Sequence, residues 1–180
     1  LVTFPGYFAA SYQTCCPYPF FMFKRDSVGN YIQIKGSKGP NDCEKTDVRW
    51  FTDEKANLLK DFPLWFVQSV DDPVVPASTF SFPVCRELYK VGSKNCWYSL
   101  FENVESAMFP GMKFFGHWCW IRLFNDQCTK VQDREKILKS DGINEYGFVP
   151  SNDGGGFKYA SDEKGTYKSI FEWMNAQVRQ

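Results

Sequence analysis

Short runs of alternating apolar and polar residues dominate the first two thirds of the chain. Tyr31–Lys35 is the cleanest, with Ile32 and Ile34 on one face and Tyr31, Gln33 and Lys35 on the other, the period of two that marks a half-buried strand. Further short apolar runs at Tyr7–Tyr12, Tyr18–Arg25, Asp47–Phe51, Leu64–Val70, Thr79–Phe82, Arg86–Val91 and Cys96–Phe101 are separated by Gly, Pro, Asn and Asp, the residues that supply turns. Asp26–Asn30 and Gly92–Asn95 predict two hairpin turns. Asp53–Lys60 is ambiguous: Thr52 can cap a helical turn, which Phe62-Pro63 then stops. Phe114–Phe124 is the longest mostly apolar run, and Gly116 inside it predicts a bulge or a close backbone approach.

The period then changes. Lys130–Lys139 is charged, with a sparse stripe of Val131, Ile137 and Leu138, and Ser140-Asp141-Gly142 stops it as helix-ending glycines do. Tyr146–Val149 predicts one more short strand. Asp153 and the glycines at 154, 155 and 156 predict a linker. Tyr167, Ile170, Phe171, Met174 and Val178 fall on one helical face. The expected fold is therefore mostly β: an eight-stranded antiparallel up-and-down barrel, a helix after the barrel and an extra C-terminal helix. The barrel domain would span residues 1–150, and the glycine-rich linker with its amphipathic helix residues 151–180. Sequential hairpins favour such a meander, and closure removes exposed sheet edges. Several strands carry apolar residues on both faces, as an apolar lumen beneath a helix-covered outer wall would require.

Composition sharpens that expectation. Aromatic residues make up 18% of the 180-residue chain, among them 18 Phe and 6 Trp, and rings carry large buried area in cores and pockets. Tyr12, Phe21, Phe23, Phe80, Phe82, Tyr98, Leu100, Trp118 and Trp120 are the candidate lining of a ligand cavity; the alternative is that they fill a solid core. Lys plus Arg equals Asp plus Glu, 21 against 21, so there is no broad positive field to suit nucleic acid. No apolar stretch is long enough to span a bilayer. Seven cysteines with no Cys-x-x-Cys pair and a single histidine argue against a zinc site and for disulfides in a secreted, extracellular protein. Six can pair in about 15 ways, leaving one over. The chain opens on Leu1 with no signal-like sequence, which fits a leader already removed.

Trp118-Cys119-Trp120-Ile121-Arg122, the run from Asp133 to Asn144 and Gly6-Tyr7-Phe8, taken with the order of elements, resemble a lipocalin of the apolipoprotein D group. The resemblance rests on Trp118-Cys119-Trp120-Ile121-Arg122, where that family has a strand ending in Trp-x-x-x-Arg, and on the run from Asp133 through Lys139-Ser140-Asp141-Gly142-Ile143-Asn144. Gly6-Tyr7-Phe8 stands where the family has Gly-x-Trp. The resemblance implies that Arg122 covers the ring of Phe8 and that Gly6, Phe8 and Arg122 close the barrel floor. Phe in place of the signature Trp, the absent Thr-Asp-Tyr motif and the lack of a cysteine after Cys128 are departures from the family.

The implied activity is binding and transport of a small hydrophobic ligand (a pigment, sterol, retinoid or fatty acid), with no obligatory cofactor beyond that molecule, no metal and no catalytic residue. Two other classes compete. One is a secreted interaction protein using loops and the last helix on a partner, or on a second copy of itself. The other, weaker, is an enzyme on a lipid-like substrate. His117 as a base would need a nucleophile and an orienting carboxylate, and a structural role is the expectation for it. Cys15-Cys16 reads as a staple in the first loop. Asp71-Asp72, before a proline loop, reads as a solvated pair, and Asp162-Glu163 as charge near the start of the last helix.

Overall fold

Every residue of Leu64–Ser69 is buried, which a strand achieves only when both of its faces are covered. The computed structural model describes residues 9–15, 19–37, 39–141, 145–154, 156 and 158–177. Within them the chain runs through β1 (Ser11–Thr14), β2 (Phe21–Phe23), β3 (Lys45–Arg49), α1 (Asp53–Leu59), β4 (Leu64–Ser69), α2 (Ser81–Lys90), β5 (Cys96–Phe101), β6 (Val104–Glu105) and β7 (Lys113–Phe114). It continues through a 3-10 turn at Gly116–Trp118, α3 (Trp120–Phe124), α4 (Arg134–Lys139), a second such turn at Glu145–Gly147, β8 (Ala160–Asp162), β9 (Gly165–Tyr167) and α5 (Ile170–Ala176).

β1, β4 and β5 form one parallel sheet in that order, with Ser11 opposite Leu64 and Leu64 opposite Cys96. Pleating sends alternate residues to opposite faces. Leu64, Phe66, Cys96, Tyr98 and Leu100 enter a core with Leu59 of α1, Phe82, Cys85 and Leu88 of α2, and Ile137 of α4. Trp65, Val67 and Phe101 enter a second core with Leu123 of α3 and Ile170 and Trp173 of α5. The sheet is thus held between two helical layers, the arrangement that parallel strands require. The Trp65 indole donates to Ser99 Oγ at 2.9 Å and Ser99 to the Lys130 carbonyl at 2.7 Å, so the indole N–H and this buried hydroxyl are both satisfied.

The expected eight-stranded antiparallel barrel is corrected. Among the described residues the strands form one parallel three-stranded sheet and three two-stranded antiparallel ladders, and no barrel closes. The two strands expected at Thr79–Phe82 and Arg86–Val91 lie largely in the single helix α2. Phe82, Cys85, Leu88 and Tyr89 bury one stripe of it, and Pro83 sits in its first turn, where a missing N–H breaks nothing. Phe114–Phe124 is not one strand: β7 ends at Phe114 and a turn and helix follow. Tyr31–Lys35 contributes only the bridges Arg25 to Tyr31 and Gln33 to Cys43. The turn at Asp26–Asn30 is present, with Asp26 Oδ1 accepting from the Val28 and Asn30 N–H groups. β4 and β5 lie where periodicity placed them, α4 takes only the last six residues of the stretch Lys130–Lys139, and α5 starts at Ile170, leaving Tyr167 of the expected helical stripe in β9.

Residues after 150 return to the body. Ser151 bridges Phe101 in parallel, and the Leu100 N–H donates to the Gly154 carbonyl at 2.7 Å, so this segment covers the outer edge of β5 at Leu100 and Phe101, while the Gln132 N–H meets the Tyr98 carbonyl. Trp173 meets Trp65 edge-on at 5.4 Å. In the β8–β9 hairpin the Tyr167 hydroxyl donates to Asp162 at 2.6 Å. Burial, then that hydrogen bond and charge, push the phenol up to about 12.

A raised phenol favours the neutral form in the folded chain, while an unfolded tyrosine ionises near about 10. The stability it supplies is therefore complete below about pH 10 and is lost as pH rises toward 12. Urea denaturation over that range is expected to show the wild type weakening relative to Tyr167→Phe.

Candidate active site

Because β1, β4 and β5 run parallel, their C-terminal ends lie on one border of the sheet, where open α/β sheets form their functional crevices. Cys15 follows β1, Asp72 follows β4, and the chain leaving β5 returns through β6 and β7 to place His117 in the 3-10 turn.

Asp72 is held first. Its Oδ1 accepts from the Val74 and Val75 N–H groups at 2.8 and 2.9 Å, a local Asx-type turn across Pro73. Its Oδ2 accepts from the Gln68 amide at 2.9 Å. The side chain is wholly covered, and His117 Nδ1 lies 3.0 Å from Oδ2. With Nδ1–H given to the carboxylate, the neutral ring carries its lone pair on Nε2, and 27% of the histidine side chain is open to solvent. Gly116 allows this approach: a Cβ there would collide with the carbonyl and carboxylate of Asp71. Asp71 is in turn hydrogen-bonded by Ser69 Oγ. The expected close backbone approach at Gly116 is present, and its effect is to bring His117 onto Asp72.

Rings surround the imidazole. Trp120 and Phe115 meet it edge-on at 5.7 and 6.3 Å. Phe115 and Trp118 are large rings left exposed, and the apolar side chains of Met108, Phe109 and Met112 between β6 and β7 are exposed as well. Exposed apolar residues gathered in one stretch mark a binding surface more often than scattered ones do.

Beneath the pair lies a sulfur contact. Cys15, with φ of 45° at the end of β1, places Sγ 3.1 Å from Cys119 Sγ and 2.9 Å from the His117 carbonyl. Its hydrogen bond with Cys119, its burial and the neighbouring Cys119 and Asp72 charges push the Cys15 thiol far up. One donor atom each of Cys15, Asp72 and His117 lies within 4.8 Å of the others.

The expected ligand-lining residues do not share one lumen. Phe82, Tyr98 and Leu100 are in one core, with Phe21 against it; Phe80 is in the other, with Tyr12, Phe23 and Trp120 against it. Trp118 is exposed. Gly6 and Phe8 lie outside the described residues. Arg122 is buried in α3, where its guanidinium donates to the Asn103 carbonyl and covers the ring of Phe101 at 5.1 Å. The Trp118–Arg122 stretch that carries the lipocalin resemblance is a turn and a helix, not a strand. The six described cysteines are buried free thiols, so the expected disulfide framework is absent among them.

The pair at Asp72 and His117 was not expected from the sequence. Asp72 reads as solvated because a loop acid before proline usually is; the signal against this is the apolar run that it terminates. No family model, curated protein or solved structure matches the chain, and nothing among these comparisons points to a lipocalin.

Proton NMR is expected to show a far-downfield Nδ1–H resonance from His117 that Asp72→Asn shifts upfield or removes. Unreduced native protein is expected to react slowly with a thiol reagent and to titrate at least six thiols in denaturant, matching the six buried cysteines.

Proposed function

We propose that the chain carries the base and the orienting acid of a nucleophilic acyl-transfer hydrolase acting on esters with an apolar acyl group. The single observation behind this is the fully covered Asp72 carboxylate bonded to His117 Nδ1 at 3.0 Å at the C-terminal border of a parallel sheet. A buried acid that fixes the imidazole tautomer and stabilises the imidazolium is the function of the third member of a catalytic triad. The order supports it too: hydrolases built on open α/β sheets place the acid before the histidine in the chain, both after the nucleophile.

In this reaction His117 Nε2 takes the proton of a nucleophile hydroxyl as that oxygen attacks the ester carbonyl. The imidazolium, held by Asp72, then gives the proton to the departing alkoxide, and water repeats the sequence to release the acid. The nucleophile belongs at Nε2; among the described residues no serine or threonine hydroxyl hydrogen-bonds this ring. Cys15 does not suit the part, because its thiol is held protonated and faces Cys119, the His117 carbonyl and Asp72. The exposed Phe115 and Trp118 rings support an apolar acyl chain beside the histidine.

A carrier of small hydrophobic ligands, the sequence expectation, needs an enclosed lumen, and the residues assigned to it are divided between two cores. An enzyme on a lipid-like substrate, its weakest competitor, accounts for the Asp72–His117 pair and the exposed rings together.

Hydrolysis of nitrophenyl esters of increasing acyl length by the protein in its natural length tests the proposal. Turnover is expected to rise with chain length, to fall about 10³–10⁴-fold in Asp72→Asn and comparably in His117→Ala, and to lose its length preference in Trp118→Ala. Equal rates in wild type and His117→Ala, or no turnover of any ester in the series, would overturn it.

A further inference from the structure

We propose that Cys15, Asp72 and His117, with Cys119 as fourth donor, form a site for a thiophilic divalent cation such as Zn²⁺, and that filling it disables the His117–Asp72 pair. Two sulfurs, an imidazole and a carboxylate are the donors that zinc accepts, and sulfur excludes calcium and magnesium.

The geometry is close to what the ion requires. Zinc bond lengths of about 2.0–2.3 Å in a tetrahedron set its ligands about 3.3–3.8 Å apart. Here the two sulfurs are 3.1 Å apart and His117 Nδ1 is 3.0 Å from Asp72 Oδ2, while the three-residue cluster spans no more than 4.8 Å. Opening the two short contacts and closing the wider separations of the cluster, each by about 1 Å or less, admits the ion on Cys15, Asp72 and His117; Cys119, whose sulfur touches that of Cys15 but lies outside the three-residue cluster, turns inward to complete the four. The backbone that carries the donors is constrained: Cys15 leaves β1 beside β4, its N–H bonded to the Val67 carbonyl, and Cys119 is two residues beyond His117 next to the same turn. The partly open histidine side is the way in, since Asp72 and Cys119 are covered. On binding, the two thiols release their protons to solvent, and the two thiolates and the carboxylate surround the dication.

This occupant and the catalytic pair exclude each other. Coordination through Nδ1, the nitrogen that faces Asp72, takes the lone pair there and leaves the ring proton on Nε2. A ring in that tautomer cannot accept a proton from a nucleophile. The inhibitory consequence rests on the hydrolase proposal; the site itself does not.

Cobalt(II) tests the site without any activity measurement. Purified protein kept in a non-thiol reductant is titrated with Co²⁺, following the thiolate-to-cobalt absorption and the intense visible bands of tetrahedral cobalt. The expected result is one ion per chain, displaced by Zn²⁺, with the thiolate absorption reduced in both Cys15→Ser and Cys119→Ser and unchanged in Cys85→Ser. His117→Asn is expected to weaken binding at least about 10-fold, and Zn²⁺ to abolish the downfield Nδ1 proton of the wild type. No stoichiometric binding, or a spectrum lost in Cys85→Ser but retained in Cys15→Ser, overturns the proposal. A protein that binds cobalt and hydrolyses no ester keeps this site and loses the hydrolase; ester hydrolysis without cobalt binding does the reverse.

Discussion

The arrangement depends on the parallel pairing of β4 with a neighbour on each side. A central strand with no exposed residue must have apolar side chains on both faces, and each face must be roofed. α1, α2 and α4 roof one, α3 and α5 the other. Burial of this kind contributes about 25 cal/mol per Å² of apolar area, so the six-residue strand and its two roofs form a unit that is hard to deform locally. Parallel direction also brings three strand ends to one border, and every element of the candidate site grows from those ends.

The border is where the structure departs from close apolar packing. Asp72 is a wholly covered carboxylate, tolerable because backbone amides, the Gln68 amide and the imidazole meet its oxygens. A group secured by that many donors holds the histidine to one orientation, which a flexible surface acid could not do. The neighbouring sulfurs add a second chemistry in the same few ångströms. A protonated Cys15–Cys119 contact leaves the imidazole to the carboxylate, whereas a bound cation would claim both.

Much of this was legible residue by residue, but the long-range pairing was not. The runs at Leu64–Val70 and Cys96–Phe101 identify β4 and β5, and the helical stripes identify α4 and α5. Gly116 announces its close contact. What periodicity does not encode is strand direction, since a run buried on both faces looks the same in a barrel wall and in a parallel sheet. Apolar residues on both faces were better explained by two helical roofs than by a lumen. The helix α2 was hidden by Pro83, which divides its apolar stripe into two strand-like halves. Asp72 and His117 are 45 residues apart, and only the fold of β5 to β7 joins them.

The cover that residues 151–154 give to β5 has a consequence for the order of assembly. β1 finds β4 across an intervening stretch of about 50 residues, and long-range parallel pairing is slow because loop-closure entropy is lost before contacts repay it. The Gln132 N–H meets the Tyr98 carbonyl, but the outer edge of β5 at Leu100 and Phe101 stays bare until Ser151 and Gly154 have been synthesised and have docked. An unpaired strand edge is a template for other chains. The nascent protein therefore passes through a stage in which β4 and β5 are present and this sealing segment is not, and it is most exposed to aggregation before residues 151–154 have left the ribosome.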